Sequence, residues 1–139
     1  MNSRLQIMLE QAIHAFQEGN FDGAEEKLRY FLRMIPKNFD AIHLLAVVSA
    51  SQGKHEEAIT YFKRALELNK KDPSVLNNLG SSLNALGKNS KALLAFKESL
   101  RIDPAVPEFW YNAGNTLCDL ERYEEAVVYY GRSVEIDSE

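Results

Sequence analysis

The residues of this chain best equipped for metal or nucleophilic chemistry are three histidines, His14, His43 and His55, and a single cysteine, Cys118. None has the company such chemistry needs. A zinc or proton-relay site sets histidines at spacings such as HxxxH or HExxH, or among cysteines. Neither pattern occurs here, and the three histidines fall in three different phases of the repeat described below. Cys118 has no matched catalytic histidine and is expected to act as a small apolar filler. The pairs Glu56-Glu57 and Glu124-Glu125 stand where helices should begin, where carboxylates favour the helix dipole, so they read as structural. No nucleotide-binding glycine loop and no acid–base constellation is present. The sequence therefore predicts no metal site, no cofactor and no catalysis within these residues.

What does recur is a spacing. Ala24, Ala58, Ala92 and Ala126 are 34 residues apart (58−24, 92−58 and 126−92). The same step relates Ala12, Ala46, Gly80 and Gly114, then Leu28, Phe62, Phe96 and Tyr130, then Met34, Leu68, Ile102 and Ile136. Small residues mark places where two helices approach closely, and the large ones fill the space beside them. The period sets four units, 5–38, 39–72, 73–106 and 107–139, with 1–4 as a lead-in. Each unit holds two helical patterns around a turn. In the third, Leu76, Leu79, Leu83 and Leu86 form one apolar face of a helix from about Pro73 to Leu86. Asp72 is placed to cap it, Pro73 suits its first position, and Gly87 suits its C-terminal cap. Pro104 stops the second helix. Gly19 and Gly53 match Gly87, whereas Glu121 takes that place in the fourth unit and is expected to cost stability if the turn needs a positive φ.

Composition bounds the rest. The chain has 139 residues, 45% of them apolar and 26% charged, as in a folded globular protein. A net charge of −4 argues against a nucleic-acid partner. One cysteine cannot form an internal disulfide, which fits a reducing compartment. The N-terminal stretch is broken by Gln6, Glu10 and Gln11, so it lacks the apolar run of a signal peptide, and no segment approaches a membrane span. A cytoplasmic protein with no membrane insertion is expected.

A 34-residue period of paired helices resembles the tetratricopeptide repeat family over nearly the whole chain. The fourth unit, with Trp110, Gly114, Tyr123, Ala126, Tyr130 and Ile136, is closest to the family pattern. The first is least typical, with Gln11 where the others have Leu45, Leu79 and Ala113. The resemblance implies an all-α, right-handed superhelical solenoid of four helix-turn-helix repeats, forming one array. First helices would line its concave face and receive a peptide or partner protein. Trp110 would be a packing aromatic, and Tyr111 would face the groove. All sixteen Lys and Arg lie outside the four expected first helices, which carry Glu10, Glu18, Asp40, Glu108 and Asp119, so the implied groove is neutral to acidic.

That charge pattern decides between ligands. Family members that clamp acidic chaperone tails do so with lysine, arginine and asparagine; the matching positions here are His43, Glu108 and Asn112, and only Asn78 fits. Without cations an acidic tail loses its charge-assisted bonds, so the partner is expected not to be strongly acidic. The strings NNLGSSL (77–83) and YNAGNTL (111–117) are instead similar to the repeats of O-linked N-acetylglucosamine transferases and related bacterial proteins, where an asparagine ladder holds a peptide backbone. That resemblance assigns Asn78 and Asn112 to the ladder, with Asn77, Ser81, Tyr111 and Asn115 beside them. An amide suits the task because it offers both donor and acceptor. The N-terminal half of the groove, with His43, Leu44 and Val47, would be more apolar. The chain reads as a non-catalytic protein-interaction scaffold. The alternatives are the substrate-recruiting part of a larger enzyme such as a glycosyltransferase, and an assembly scaffold. For the latter, Val127, Tyr130 and Val134 are expected at an uncapped end, where a longer parent protein or end-to-end stacking into a homo-oligomer would cover them.

Overall fold

The computed structural model describes residues 2–138; Met1 and Glu139, the outer limits of the expected array, lie outside the described residues. Among these there are eight α-helices and no strand: α1 (Ser3–Gln17), α2 (Phe21–Met34), α3 (Phe39–Ser51), α4 (His55–Leu68), α5 (Pro73–Ala85), α6 (Asn89–Ile102), α7 (Pro107–Asp119) and α8 (Tyr123–Asp137). They form two compact units, divided between Lys70 and Lys71. In the first unit α1 packs on α2, α2 on α3 and α3 on α4. The second unit repeats the plan, with α5 on α6, α6 on α7 and α7 on α8.

Side chains cap the starts of α1, α2, α3 and α5. The carboxamide oxygen of Asn38 accepts from the Ala41 N–H at 2.9 Å, and the Asp72 carboxylate accepts from the Val75 N–H at 3.1 Å. Each satisfies a donor that the first helical turn leaves unpaired. Asn2 does the same for Arg4 at 2.7 Å. α1 therefore begins at Ser3, earlier than the repeat boundary at residue 5, and carries Arg4 on a first helix. The expectation that first helices hold no cation is corrected by that residue.

Four first helices close in the same way. The N–H of Asn20, Lys54, Lys88 and Arg122 returns to the carbonyl of Ala15, Ser49, Leu83 and Leu117, at 2.8 to 2.9 Å. This closure requires a left-handed residue just before the returning N–H. Gly19, Gly53 and Gly87 supply it with φ near +80°, +78° and +75°. Glu121 supplies it at +61°, with the steric conflict that a side chain meets there.

The periodic small residues sit where the helices cross. Ala24, Ala58 and Ala92 are wholly buried, as are Ala12 and Ala46. The glycines of that second register meet aromatic rings: a Cβ on Gly80 would lie 2.7 Å from the Phe96 ring, and one on Gly114 would lie 2.7 Å from Tyr130. Leu28, Phe62 and Phe96 fill the register opposite and are buried. The fourth register departs from this. Met34 and Leu68 end their helices exposed, so their period reflects the repeat and not a buried contact.

One polar cluster ties α2 to the α3–α4 turn. Glu25 accepts from Arg29 at 2.7 Å, from Gln52 at 2.9 Å and from Lys54 at 3.2 Å. The Arg29 guanidinium first, with Gln52 and Lys54 behind it, holds the Glu25 carboxyl down to about 2, against a usual 4.5. Because the folded value is the lower one, this stabilisation is fully present above about pH 4.5 and is lost as the pH falls toward about 2.

Two measurements follow from these contacts. Glu121→Gly should stabilise the protein by about 0.5–1 kcal/mol by relieving the left-handed strain; an unchanged denaturation midpoint would show that the turn carries none. Glu25→Gln should lower stability at neutral pH by about 1–2 kcal/mol. Denaturant titrations of variant and wild type should then converge near pH 2, and a difference that persists there would place its origin outside the carboxylate's charge.

Candidate functional site

The amides expected to line a binding surface belong to α5 and α7, neighbouring first helices of the second unit. They are not equivalent. Asn77 is 3% exposed, and its side-chain oxygen accepts from Nδ2 of Asn112 at 3.1 Å. Asn77 is thus a buried brace that fixes the Asn112 amide, which corrects its placement as a contact residue. Asn78 and Asn112 themselves are half-buried, and Ser81 is exposed beside them. Two turns further along α5, Nδ2 of Asn84 donates to the Asp119 carboxylate at 3.3 Å, while its oxygen is buried without a partner.

Asn84 and Asp119 form a second bridge, which the 34-residue period by itself does not reveal. The signal was available in the numbering. Both cross-helix bonds join residues 35 apart (112−77 and 119−84), so facing partners on α5 and α7 sit one residue beyond the 34-residue period. A search at that offset finds both pairs.

Tyr130 organises the other end of this face. Its ring lies against Gly114, its hydroxyl donates to Oδ1 of Asn115 at 2.5 Å, and the Cys118 sulfur is 3.5 Å away. The Cys118 contact and burial push the Tyr130 phenol up to about 12. Asn115 is held inside its own hairpin by that bond. Tyr130 is likewise used within the hairpin, half-buried in the slot that Phe96 fills one repeat earlier. Val127 and Val134 do stand open, at 69% and 65% exposed. Tyr111 is exposed with its ring 5.8 Å from that of Tyr130. Trp110 packs as an aromatic, edge-on to Tyr129 at 5.2 Å, and its indole N–H donates to the Pro104 carbonyl at 2.8 Å.

The corresponding face of the first unit is apolar. His43 is half-buried, with its ring 5.9 Å from Phe39 and 6.0 Å from Phe62, so it packs within its hairpin. Leu44 and Val47 are half-buried beside it. Arg4 is the one Lys or Arg in the described first helices. Among the described residues no cluster of His, Cys, Asp and Glu could hold a metal ion, and no helix is long and apolar enough to cross a membrane.

Tetratricopeptide repeat profiles match residues 39–105 and 107–139. No curated protein matches the chain in sequence. Among solved structures, one of MamA superposes with a TM-score of 0.90 at 21% identity, over 96% of this chain and 78% of that one. MamA MSR-1 gives 0.85 at 22% identity, over 96% and 77%. A tetratricopeptide repeat protein from Parabacteroides merdae gives 0.86 at 25% identity, and this chain spans 99% of its own length but 55% of that protein's. At 21–22% identity the likeness to MamA is one of fold.

Proposed function

Given that the chain belongs to the tetratricopeptide repeat family, we propose that it is a non-catalytic protein-interaction scaffold whose first-helix faces receive an extended peptide or partner segment. The observation that carries this reading is the braced amide pair: a buried Asn77 holds Asn112 in a fixed orientation beside Asn78. A pre-oriented amide binds with less ordering cost than a free one. It also satisfies backbone donors and acceptors of any sequence. This is the chemistry of the asparagine ladder in O-linked N-acetylglucosamine transferase-type repeats, here limited to one unit. On the α1–α3 face, Leu44 and Val47 favour an apolar side chain of a ligand. With Glu108 and Asp119 on α7 and no Lys or Arg on α5 or α7, the segment bound on these faces is not strongly acidic. Nucleic acid is no partner of such a face. Where the chain serves a larger enzyme, its part is recruitment of the substrate protein.

Selection of binding peptides by display, followed by calorimetry, tests this directly. The double variant Asn78→Ala/Asn112→Ala should weaken a selected peptide by roughly tenfold, the worth of one or two hydrogen bonds. Equal affinity for variant and wild type would remove the amides from the mechanism.

A second reading rests on α8. Val127 and Val134, seven residues apart on one helical face, are exposed together with Val128. A second copy of the chain that covered them would make the protein an assembly scaffold. Light scattering should then show mass rising with concentration, and Val127→Asp/Val134→Asp should abolish the rise. A strict monomer at high concentration would dispose of this reading.

A further inference from the structure

The second helices of the first unit enclose a site that a reading centred on the first helices leaves unused. α2 and α4 both pack on α3 and meet each other through side chains. Between them lies a cavity of about 360 Å³, lined by Arg29, Leu32, Arg33, Leu45, Tyr61 and Arg64. Its floor is apolar, with Leu45 buried. Three guanidinium groups surround it in a chain whose net charge is −4.

The three arginines are not equally engaged. Arg29 is committed to Glu25 at 2.7 Å and to the Tyr61 hydroxyl at 2.9 Å, with Glu57 at 3.4 Å. Arg64 and Arg33 form no ion pair among the described residues. Arg64 lies over the Tyr61 ring and Arg33 over the Tyr30 ring, each 5.5 Å from the centroid. A guanidinium on an aromatic face is oriented by it, and its N–H edges remain available to an acceptor.

The second unit shows what these arginines take when an acceptor is supplied. A shift of two repeats (68 residues) carries Arg33 to Arg101 and Arg64 to Arg132. Arg101 is paired with Glu98, and Arg132 with Glu135 at 2.8 Å. The residue corresponding to Glu98 in the first unit is Tyr30, which has no carboxylate to give. Glu67, which corresponds to Glu135, forms no ion pair with Arg64; the two line a neighbouring cavity of about 400 Å³ with Lys37. The first unit keeps the two cations without the pairing.

We propose that the α2–α4 cavity is a binding site for an acidic peptide segment, in which a Glu or Asp side chain of the partner bridges Arg33 and Arg64. An adjacent apolar side chain rests on Leu32, Leu45 and Tyr61. The paired carboxylates of the second unit favour this acceptor, because planar guanidinium forks bind carboxylates through two parallel bonds. The site differs from the first-helix faces in charge and location, so the protein would hold two segments of opposite character.

Fluorescence anisotropy with the full chain tests it. The probes are a labelled peptide of alternating glutamate and leucine, amidated at its C-terminus, its glutamine counterpart, and an oligothymidylate of equal charge. The glutamate peptide should bind at low salt and weaken as salt rises. Arg33→Gln/Arg64→Gln should reduce its affinity by at least about tenfold. Arg33→Lys/Arg64→Lys, which keeps the charge and loses the fork, should fall between, while Arg101→Gln/Arg132→Gln should bind as wild type. Circular dichroism should show unchanged helix content in each variant. The proposal is overturned if wild type does not bind the glutamate peptide, or if Arg33→Gln/Arg64→Gln binds it as well as wild type does. It is equally overturned if the glutamine peptide or the oligothymidylate binds as tightly.

Discussion

Every hairpin in this protein depends on one steric condition: where a first helix crosses its second helix, one of them must offer almost no side chain. At Gly80 and Gly114 the condition is at its limit, because an aromatic ring occupies the space where a Cβ would be. A ring seated against backbone fixes both the separation of two helices and their rotation about their own axes. That rotation decides which residues face outward. With Phe96 against Gly80, the Asn77 side chain is buried toward α7 and the next residue, Asn78, looks outward. The outward face of α5 is thus set by an apolar contact on the opposite side of the same helix.

The same condition explains what could be read from the chain beforehand. The alanine and glycine registers were legible because a buried crossing tolerates few residue types and repeats them at a fixed interval. The charge pattern of the first helices was legible for a similar reason, apart from Arg4, whose inclusion hangs on a capping bond from Asn2 that no periodicity records. The roles of the asparagines were not legible. Asn77 and Asn78 are adjacent in sequence but about 100° apart around the helix. Identical side chains there have unlike environments. Tyr130 shows the reverse. It belongs to the register of Phe62 and Phe96, so its place over Gly114 was implied, but its hydroxyl drew two polar residues, Asn115 and Cys118, into the hairpin. A tyrosine in a phenylalanine slot turns an apolar contact into a polar anchor.

Charge in this molecule is sorted by helix rather than by region. First helices are almost free of cations, and second helices carry arginines that are neutralised locally or left on aromatic rings. Within a single unit the two kinds of surface therefore present different electrostatic characters to a partner. Because the repeat conserves position, a change of one acid, such as tyrosine in place of glutamate, alters what a surface attracts without altering how it is built.

The left-handed Glu121 bears on how this molecule moves. It joins α7 to α8 through a backbone conformation that the three corresponding glycines adopt at no steric cost. The helix it introduces carries one wholly enclosed side chain, Ala126, and several open valines. A segment that is both strained at its hinge and thinly buried opens at a lower free energy than its counterparts. Local opening is then unequal among the second helices, with amide exchange expected to be faster in α8 than in α2, α4 or α6. A ligand that covered its valines would slow that exchange without touching the chemistry of any other surface.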